Sequence, residues 1–234
     1  MTHDTPIHTL GLDILFEDEQ LLVVNKPSGL LVHRGWGNDR VVLVDLVREH
    51  LRRATAHPIH RIDRQTSGVV LFAKDPENAK ALSADFDRGE VRKEYWALVR
   101  GCPPRSGVID HPIPRTEGGE RVPALTHFSV MSSVRLVIRA VSLVAAYPKT
   151  GRLHQVRRHL KHISHPIIGD ANYGKGALNR AIRSEFGLAR MGLHAARLAV
   201  RHPETGEEMT FAAPLPEDLR APLIRMGFEN IEVI

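Results

Sequence analysis

The chain has 234 residues, 42% of them hydrophobic, so it can bury a core without support from disulfides or metals. Its single cysteine, Cys102, excludes an intramolecular disulfide and any paired-cysteine motif. The N-terminus lacks an apolar signal segment and no apolar run is as long as a membrane span, so we expect a cytoplasmic protein. Lysine and arginine outnumber the acidic residues by 32 to 27, which favours a polyanionic partner.

The first half of the chain alternates short apolar runs with turn residues and amphipathic segments. KPSG at 26–29 is typical of a turn. Pro76 suits the first turn of a helix, and Gly89 suits its C-terminal end. We therefore predict two strands within 14–25, a helix at 41–53, a strand at 68–75, a helix at 76–89 and a strand at 93–101.

The second half begins with residues 102–123, which are rich in proline and glycine and predict a loop or a crossover between two halves. Further elements follow: a long strand at 134–147, a helix at 151–163, a loop at 169–180, strands at 193–201 and 208–212, and a helix near 216–226. Runs of strands punctuated by a few helices favour an α+β fold with a mixed, largely antiparallel sheet flanked by helices.

The densest polar cluster is HRIDRQTSG at 60–68, directly before an apolar strand. Asp63 stands between Arg61 and Arg64, and nearby positive charge favours an ionised carboxylate that can act as nucleophile or base. The same residues could form a structural ion pair. The order His-Arg-Ile-Asp differs from a kinase catalytic loop, and no phosphate-binding GxxxxGK[ST] loop is present.

HRIDRQTSGVVLFAKD resembles the signature of the RluA-type pseudouridine synthases, with Ile62 in place of the usual leucine. The resemblance continues in the family's order and covers nearly the whole chain, through NKPSGLLVH at 25–33, KEYWALVRG at 93–101, PKTGRLHQVRRHL at 148–160, HPIIGDANYG at 165–174 and LHAARLAV at 193–200. It implies an isomerase that converts uridine in RNA to pseudouridine without a cofactor. Asp63 would be its catalytic residue, and attack at the base or at the ribose anomeric carbon both stay open.

The resemblance also assigns roles to residues outside the signature. Tyr95 would stack on the target uracil and assist proton transfer, although a tyrosine on a strand is more often a core residue. Arg152 would pair with the catalytic carboxylate through its planar fork. Arg61 would fill the space that the flipped base leaves, unless its role is structural.

Basic side chains of the cluster and of the predicted helix at 151–163 are candidates for contacts with RNA. We expect His60 and Arg64 to bind RNA, and Arg157, Arg158, His159 and Lys161 to face phosphates, unless the helix presents a merely solvated basic face. His159, His162 and His165 fall three residues apart, but Pro166 interrupts the series and no carboxylate completes a ligand set, so we expect no metal site.

The motifs HRGW at 33–36, THF at 126–128 and EFGLARMGLHA at 185–195 resemble a tRNA-modifying branch of the family. They imply a T-stem uridine, tRNA position 65, as the target. Ribosomal RNA as substrate and a non-catalytic RNA-binding protein are the alternatives, and a hydrolase is the weakest, since no second carboxylate partners Asp63 in the sequence. We expect a tail at 1–13, one catalytic domain at 14–234 without a preceding S4 module, and a monomer.

Overall fold

The computed structural model describes residues 11–35, 39, 41–116 and 118–232. Residues 1–10 of the expected tail and Trp36 of the HRGW motif lie outside this part of the chain. Within the described ranges, no helix is long and apolar enough to cross a lipid bilayer.

The described residues form runs of strands that are interrupted by a few helices. The strands are β1 (Ile14–Glu17), β2 (Leu21–Lys26), β3 (His57–Pro58), β4 (Ser67–Ala73), β5 (Arg92–Arg100), β6 (Ser106–Asp110), β7 (Ile113–Pro114), β8 (Arg121–Val122), β9 (Leu125–Arg135), β10 (Ala140–Pro148), β11 (Leu193–Arg201) and β12 (Glu208–Ala212). The helices are α1 (Leu43–Leu51), α2 (Pro76–Arg88), α3 (Gln155–His162), α4 (Gly176–Phe186) and α5 (Glu217–Arg225).

One ten-stranded sheet of the described chain has the order β1-β2-β4-β11-β5-β10-β9-β6, with β12 paired to β11 and β3 to β4. Strands β4 and β11 run parallel, whereas the other neighbours in this order are antiparallel. The mixed, largely antiparallel sheet confirms the predicted fold class. Strand β4 is buried along its whole length, as its unbroken apolar run predicts.

Helices cover both faces of this sheet because successive strand side chains point to opposite sides. On β5, Trp96 and Leu98 belong to the core cluster that includes residues of α4 and α5, while Ala97 and Val99 pack with α3. At the other end, α1 and α2 pack against alternate residues of β2 and β4. The α3 side of the sheet carries the cleft described below.

Most of the predicted elements are confirmed, including strands at 193–201 and 208–212 with their predicted bounds. Helix α2 begins at Pro76, with the Asp75 side chain accepting from the Asn78 amide, and it ends at Gly89 with φ of 73°. Both ends therefore follow from side-chain chemistry that is legible in the sequence.

Three predictions for the second half were wrong. Residues 102–123 contain the edge strand β6 and the small β7–β8 pair, and the prolines are tolerated there because these strands have few partners. Residues 134–147 are the end of β9 and most of β10, joined by a turn in which the Leu136 amide donates to the Arg139 carbonyl. The predicted loop at 169–180 contains the start of α4, which has no side-chain cap to announce it.

Candidate active site

The loop at 59–66 between β3 and β4 carries Asp63, and two buried cations, Lys26 and Arg190, hold its backbone. The fully buried Lys26 ammonium donates to the carbonyls of Pro27, Leu30 and Arg64, at 2.8, 2.7 and 3.2 Å. Burial, and then the charge of Arg190, lower the pKa of Lys26 to about 7. These bonds fix the backbone on both sides of the KPSG turn and hold the loop that presents Asp63.

The end of the loop is fixed where β4 meets β11. Gly68 has φ of 115°, and a Cβ there would lie 2.1 Å from the Ala195 carbonyl oxygen, so the close parallel approach requires glycine. The buried Arg190 guanidinium donates to the Gln65 carbonyl at 3.2 Å and to the Ser67 hydroxyl at 2.8 Å. The sequence analysis singled out neither Gly68 nor Arg190.

The Asp63 carboxylate is held by Arg157 of α3, whose Nη1 donates to Oδ2 at 2.9 Å. The same guanidinium donates from Nε and Nη2 to both oxygens of the buried Asp170, at 2.7 and 3.0 Å. Burial opposes the charge on Arg157, but its bonds with the two carboxylates raise its pKa overall. Burial likewise opposes the charge on Asp170, whose pKa is nevertheless lowered because Arg157 binds it.

The expectation that Arg152 pairs with Asp63 is therefore wrong. Residues 151–154 are not helical; α3 starts at Gln155, and the exposed Arg152 donates from Nε to the Pro123 carbonyl at 3.3 Å. Among the described residues it forms no ion pair with a carboxylate. The expectation that Arg157 faces phosphates is also wrong. Arg157 lies three residues before the buried Leu160, so its side chain points inward.

His154 and Tyr173 complete the surroundings of Asp63, and the sequence prediction missed both. His154 precedes α3 in a left-handed conformation with φ of 54°, uncommon for a residue with a side chain. Its Nε2 lies 3.8 Å from Asp63 Oδ1, and its Nδ1 is 3.1 Å from the Tyr173 hydroxyl. The pKa of His154 is lowered, chiefly by burial, although the Asp63 charge opposes this.

The Tyr173 ring contacts three cationic side chains near Asp63. Its ring centroid lies 5.0 Å from the Arg157 guanidinium carbon, 5.7 Å from that of Arg158 and 5.5 Å from the Lys161 ammonium. Its hydroxyl accepts from Arg158 Nε at 2.8 Å. An aromatic ring that faces three cations and bonds His154 is well placed to fix their positions around the carboxylate.

Tyr95 of β5 lies in the same cleft as Asp63, as predicted. Burial raises the pKa of its phenol, and the nearby Asp63 charge raises it further. The phenol therefore stays protonated at neutral pH, so it can stack on a base or donate a hydrogen bond but is a poor proton acceptor.

The other residues of the signature occupy different places. The exposed Arg61 lines the cleft with Nη1 3.4 Å from His33 Nε2, while Arg64 forms a bidentate pair with Asp39, both bonds 2.7 Å. Thus neither flanking arginine forms an ion pair with Asp63 in the described structure, and the alternative of a structural ion pair among these three residues is wrong. His60 stacks on Phe86 and accepts from the Leu71 amide, and burial lowers its pKa to about 3.

The remaining basic residues of α3 are divided between the core and the surface. His159 is fully buried and bonds the Thr126 hydroxyl and the His111 carbonyl, so the expectation that it faces phosphates is wrong. Arg158 is partly buried against Tyr173, and Lys161 is exposed. In the described ranges, no three potential metal ligands come together, at the histidines of α3 or elsewhere.

A cleft of about 870 Å³ joins these residues. Its lining has two parts, which we name by their residues. Asp63, Tyr95 and the N-terminal end of α3 form the Asp63 end, and the last turn of α2 with Lys93 and Lys149 forms the Lys93 end. Among the described residues, Asp63 and Asp87 are the acidic side chains that line it. The basic lining residues are His60, Arg61, Arg88, Lys93, Arg115, Lys149, Arg152, His154 and Arg157.

Comparison with known proteins agrees with this architecture. Residues 20–162 match the family model described as RNA pseudouridylate synthase. The chain is 35% identical to tRNA pseudouridine synthase C of Yersinia pestis, over 94% of this chain and 93% of that protein. It is 38% identical to tRNA pseudouridine synthase C of Haemophilus ducreyi, over 89% and 93% respectively.

Solved structures give the same result. The protein titled human RNA pseudouridylate synthase domain containing 4 superposes with a TM-score of 0.76 at 29% identity, covering 92% of this chain and 93% of that one. Human RNA pseudouridylate synthase domain containing 1 superposes with a TM-score of 0.74 at 29% identity, covering 90% and 87%. The chain therefore belongs to the RNA pseudouridylate synthase family, in its RluA-type group, and is an isomerase.

Proposed function

We propose that this protein converts a uridine of tRNA to pseudouridine, with Asp63 as the catalytic carboxylate. The observation that supports this most strongly is an aspartate held by a buried arginine in a basic cleft of a pseudouridylate synthase fold. Relatives named tRNA pseudouridine synthase C support tRNA as the RNA. The motifs HRGW, THF and EFGLARMGLHA support the T-stem uridine at position 65.

The reaction breaks the bond between N1 of uracil and C1′ of the ribose, and forms a bond between C5 and C1′. The proton leaves C5, and N1 ends protonated, so no group from outside is consumed. Asp63 Oδ2 is held by Arg157, whereas Oδ1 faces His154 at the longer distance of 3.8 Å. Oδ1 is therefore the oxygen that meets the nucleotide, at the base or at the anomeric carbon.

Access to Asp63 requires the nucleotide to leave its stack. The Asp63 side chain is 23% exposed and lies within the cleft, so a base-paired uridine must be flipped out to reach it. The ring of Tyr95, which lines the cleft with Asp63, offers a stacking surface for the uracil. Arg61, at the exposed rim, is placed to fill the space in the RNA that the flipped base leaves.

The basic lining of the cleft supports binding to an RNA backbone. Arg115, Lys149 and Arg152 join Arg61 on its walls, where they can contact phosphates without reading sequence. Arg152 thus takes a role in RNA binding in place of the pairing with Asp63. Arg158, beside Tyr173, can position α3 or reach a phosphate at its outer end.

The test incubates the purified chain, without added metal or nucleotide, with tRNA transcripts and separately with ribosomal RNA, and maps pseudouridine in each. Asp63→Asn is compared with Asp87→Asn, a matched change of another cleft carboxylate that forms no ion pair among the described residues. We expect one T-stem uridine of tRNA to be modified by the unchanged protein and by Asp87→Asn, but not by Asp63→Asn.

Other results would revise the proposal in different ways. Modification of ribosomal RNA alone would move the substrate and leave the chemistry intact. Binding of RNA without any pseudouridine would favour a non-catalytic RNA-binding protein. Full activity of Asp63→Asn would show that Asp63 is not the catalytic carboxylate.

A further inference from the structure

The Lys93 end of the cleft contains a lysine whose charge has little compensation. Lys93 of β5 is partly buried, and its Nζ donates one long hydrogen bond, 3.4 Å, to the Thr150 carbonyl. Nζ also lies 5.7 Å from the centroid of the Phe86 ring, in the last turn of α2. An ammonium has three protons to donate, so this environment leaves it short of acceptors.

Lys149 adds a second cation at the same place. Its exposed side chain lines the cleft beside Lys93, and the pKa of Lys93 is lowered to about 8 by burial and then by the Lys149 charge. Asp87 is an acidic residue that also lines the cleft. Yet in the described structure neither lysine forms an ion pair with it or with any other carboxylate.

Lys93 and Tyr95 are two residues apart on β5 and both line the cleft, while Glu94 between them bonds Trp96 and Arg197. Two residues of extended strand span roughly 6.6 Å. A nucleotide whose base stacks on Tyr95 therefore has its backbone within reach of the Lys93 ammonium. Two cations held close together without an acid favour an anion between them.

We propose that Lys93 and Lys149 form a subsite for one backbone phosphate of the RNA, next to the nucleotide that enters the Asp63 end of the cleft. This inference rests on the proposed function, since it takes an RNA with a flipped base as the ligand. The phosphate replaces the missing carboxylate and fixes the distance between backbone and catalytic carboxylate. Lys93 is thus a positioning residue, with no direct part in the chemistry.

The test measures RNA binding in the Asp63→Asn background, so that turnover does not interfere. The probes are synthetic T-arm stem-loops, each with one backbone phosphate replaced by an uncharged methylphosphonate, scanned along the arm. The variants are Lys93→Met, Lys93→Arg and Lys149→Met, and the matched control is Lys80→Met, an exposed lysine of α2 outside the cleft.

We expect one linkage at which the methylphosphonate weakens binding about 10-fold, the loss expected for a charge-assisted hydrogen bond. In Lys93→Met and Lys149→Met, the methylphosphonate at that linkage should weaken RNA binding little further. In Lys80→Met and Lys93→Arg, it should weaken binding about as much as in the Asp63→Asn parent. The slope of log affinity against log salt should also become shallower by about 0.7 to 0.9 for each phosphate contact that is lost, the range between single-stranded and duplex nucleic acid.

The inference is overturned if no linkage distinguishes Lys93→Met from Lys80→Met, whether or not the protein modifies tRNA. Conversely, a linkage effect in a chain that forms no pseudouridine would retain the subsite and reject the proposed function. If Lys93→Met fails to fold, Lys149→Met carries the test, because that side chain is exposed. A purely structural role of Lys93 against Phe86 would lower its melting temperature without any dependence on linkage.

Discussion

The two ends of the cleft hold their charges in opposite ways. At the Asp63 end, one buried guanidinium is shared between Asp63 and Asp170, and Tyr173 covers it. At the Lys93 end, two cations line the cleft without an ion pair to any carboxylate of the described residues. The first arrangement fixes a reactive group before the substrate arrives, whereas the second leaves charge for the substrate to neutralise.

After Asp63 itself, the largest effect should come from changing Arg157, the arginine that holds the Asp63 carboxylate. Arg157→Lys keeps the charge but cannot bond Asp63 and both oxygens of Asp170 together, and a misplaced carboxylate costs about 100-fold in rate. Arg152→Lys is the matched control and should lose only a few-fold. Single-turnover rates on tRNA measure both, and a greater loss in Arg152→Lys would contradict the account.

Removal of the Arg157 charge altogether should damage the fold as well. In Arg157→Leu, the fully buried Asp170 side chain loses its partner, and such a break typically costs about 3–5 kcal/mol. Chemical denaturation of Arg157→Leu against Arg152→Leu measures this difference. Equal stability of the two variants would show that Asp170 finds another partner.

Tyr95 separates stacking from proton transfer. Because burial moves the pKa of its phenol further from neutral pH, the hydroxyl is both a poor general base and a weaker general acid. Tyr95→Phe should therefore lose less than about 10-fold, below the range of general acid–base catalysis. Tyr95→Ala should lose about 10- to 100-fold, since it removes the ring on which the base stacks. The measurement is the rate of pseudouridine formation across a range of pH. A rate more than about 100-fold lower in Tyr95→Phe would assign the hydroxyl a proton-transfer role.

A smaller effect is expected from Tyr173→Phe, which keeps the ring over the cations and removes the bonds from its hydroxyl to His154 and Arg158. Of these two bonds, the one to His154 lies beside Asp63, and its loss is worth about 1 kcal/mol, so kcat should fall by roughly 5-fold. Tyr173→Leu, which removes the ring as well, should lose more. Equal losses in the two variants would show that the ring contributes nothing.

Substitution of His194, which bonds Ser67 at the start of β4, should have the smallest effect on activity at neutral pH. Its main effect should be on the stability of the fold in acid. The Nε2 of His194 donates to the Ala213 carbonyl and its Nδ1 accepts from Ser67, and burial lowers its pKa to about 4. The unfolded chain, with a histidine pKa near 6.5, therefore binds the proton first as the pH falls. Stability should be complete above pH 6.5 and decline from there toward about pH 4.

Denaturation of the protein and of His194→Gln across this window measures the contribution. The substitution should flatten the decline, although the buried His60, whose pKa is also lowered, will keep part of it. An unchanged slope in His194→Gln would show that His194 is not the group that titrates.

The sequence predicted those features that depend on local chemistry. Pro76 and Gly89 mark the two ends of α2, and the unbroken apolar run of β4 predicts a strand buried on both faces. The family resemblance placed Asp63 and Tyr95 in one site, and the structure brings them into one cleft. Helix α4, without a side-chain cap, gave no such local signal.

The choice between Arg152 and Arg157 could not be made from local pattern alone. It depends on the left-handed turn at His154, which delays the start of α3 and directs Arg157 inward. It also depends on Asp170, distant in sequence, which compensates a buried guanidinium. A charged residue three positions before the apolar Leu160 was the available signal, because that spacing places both on the buried face.

The most direct test of the central claim is the release of tritium from tRNA that carries uridine labelled at C5, since that proton must leave when the new C5–C1′ bond forms. We expect release with the unchanged protein and with Asp87→Asn, and none above background with Asp63→Asn, at equal RNA binding. Release by Asp63→Asn at the unchanged rate would contradict the assignment of Asp63 as the catalytic carboxylate.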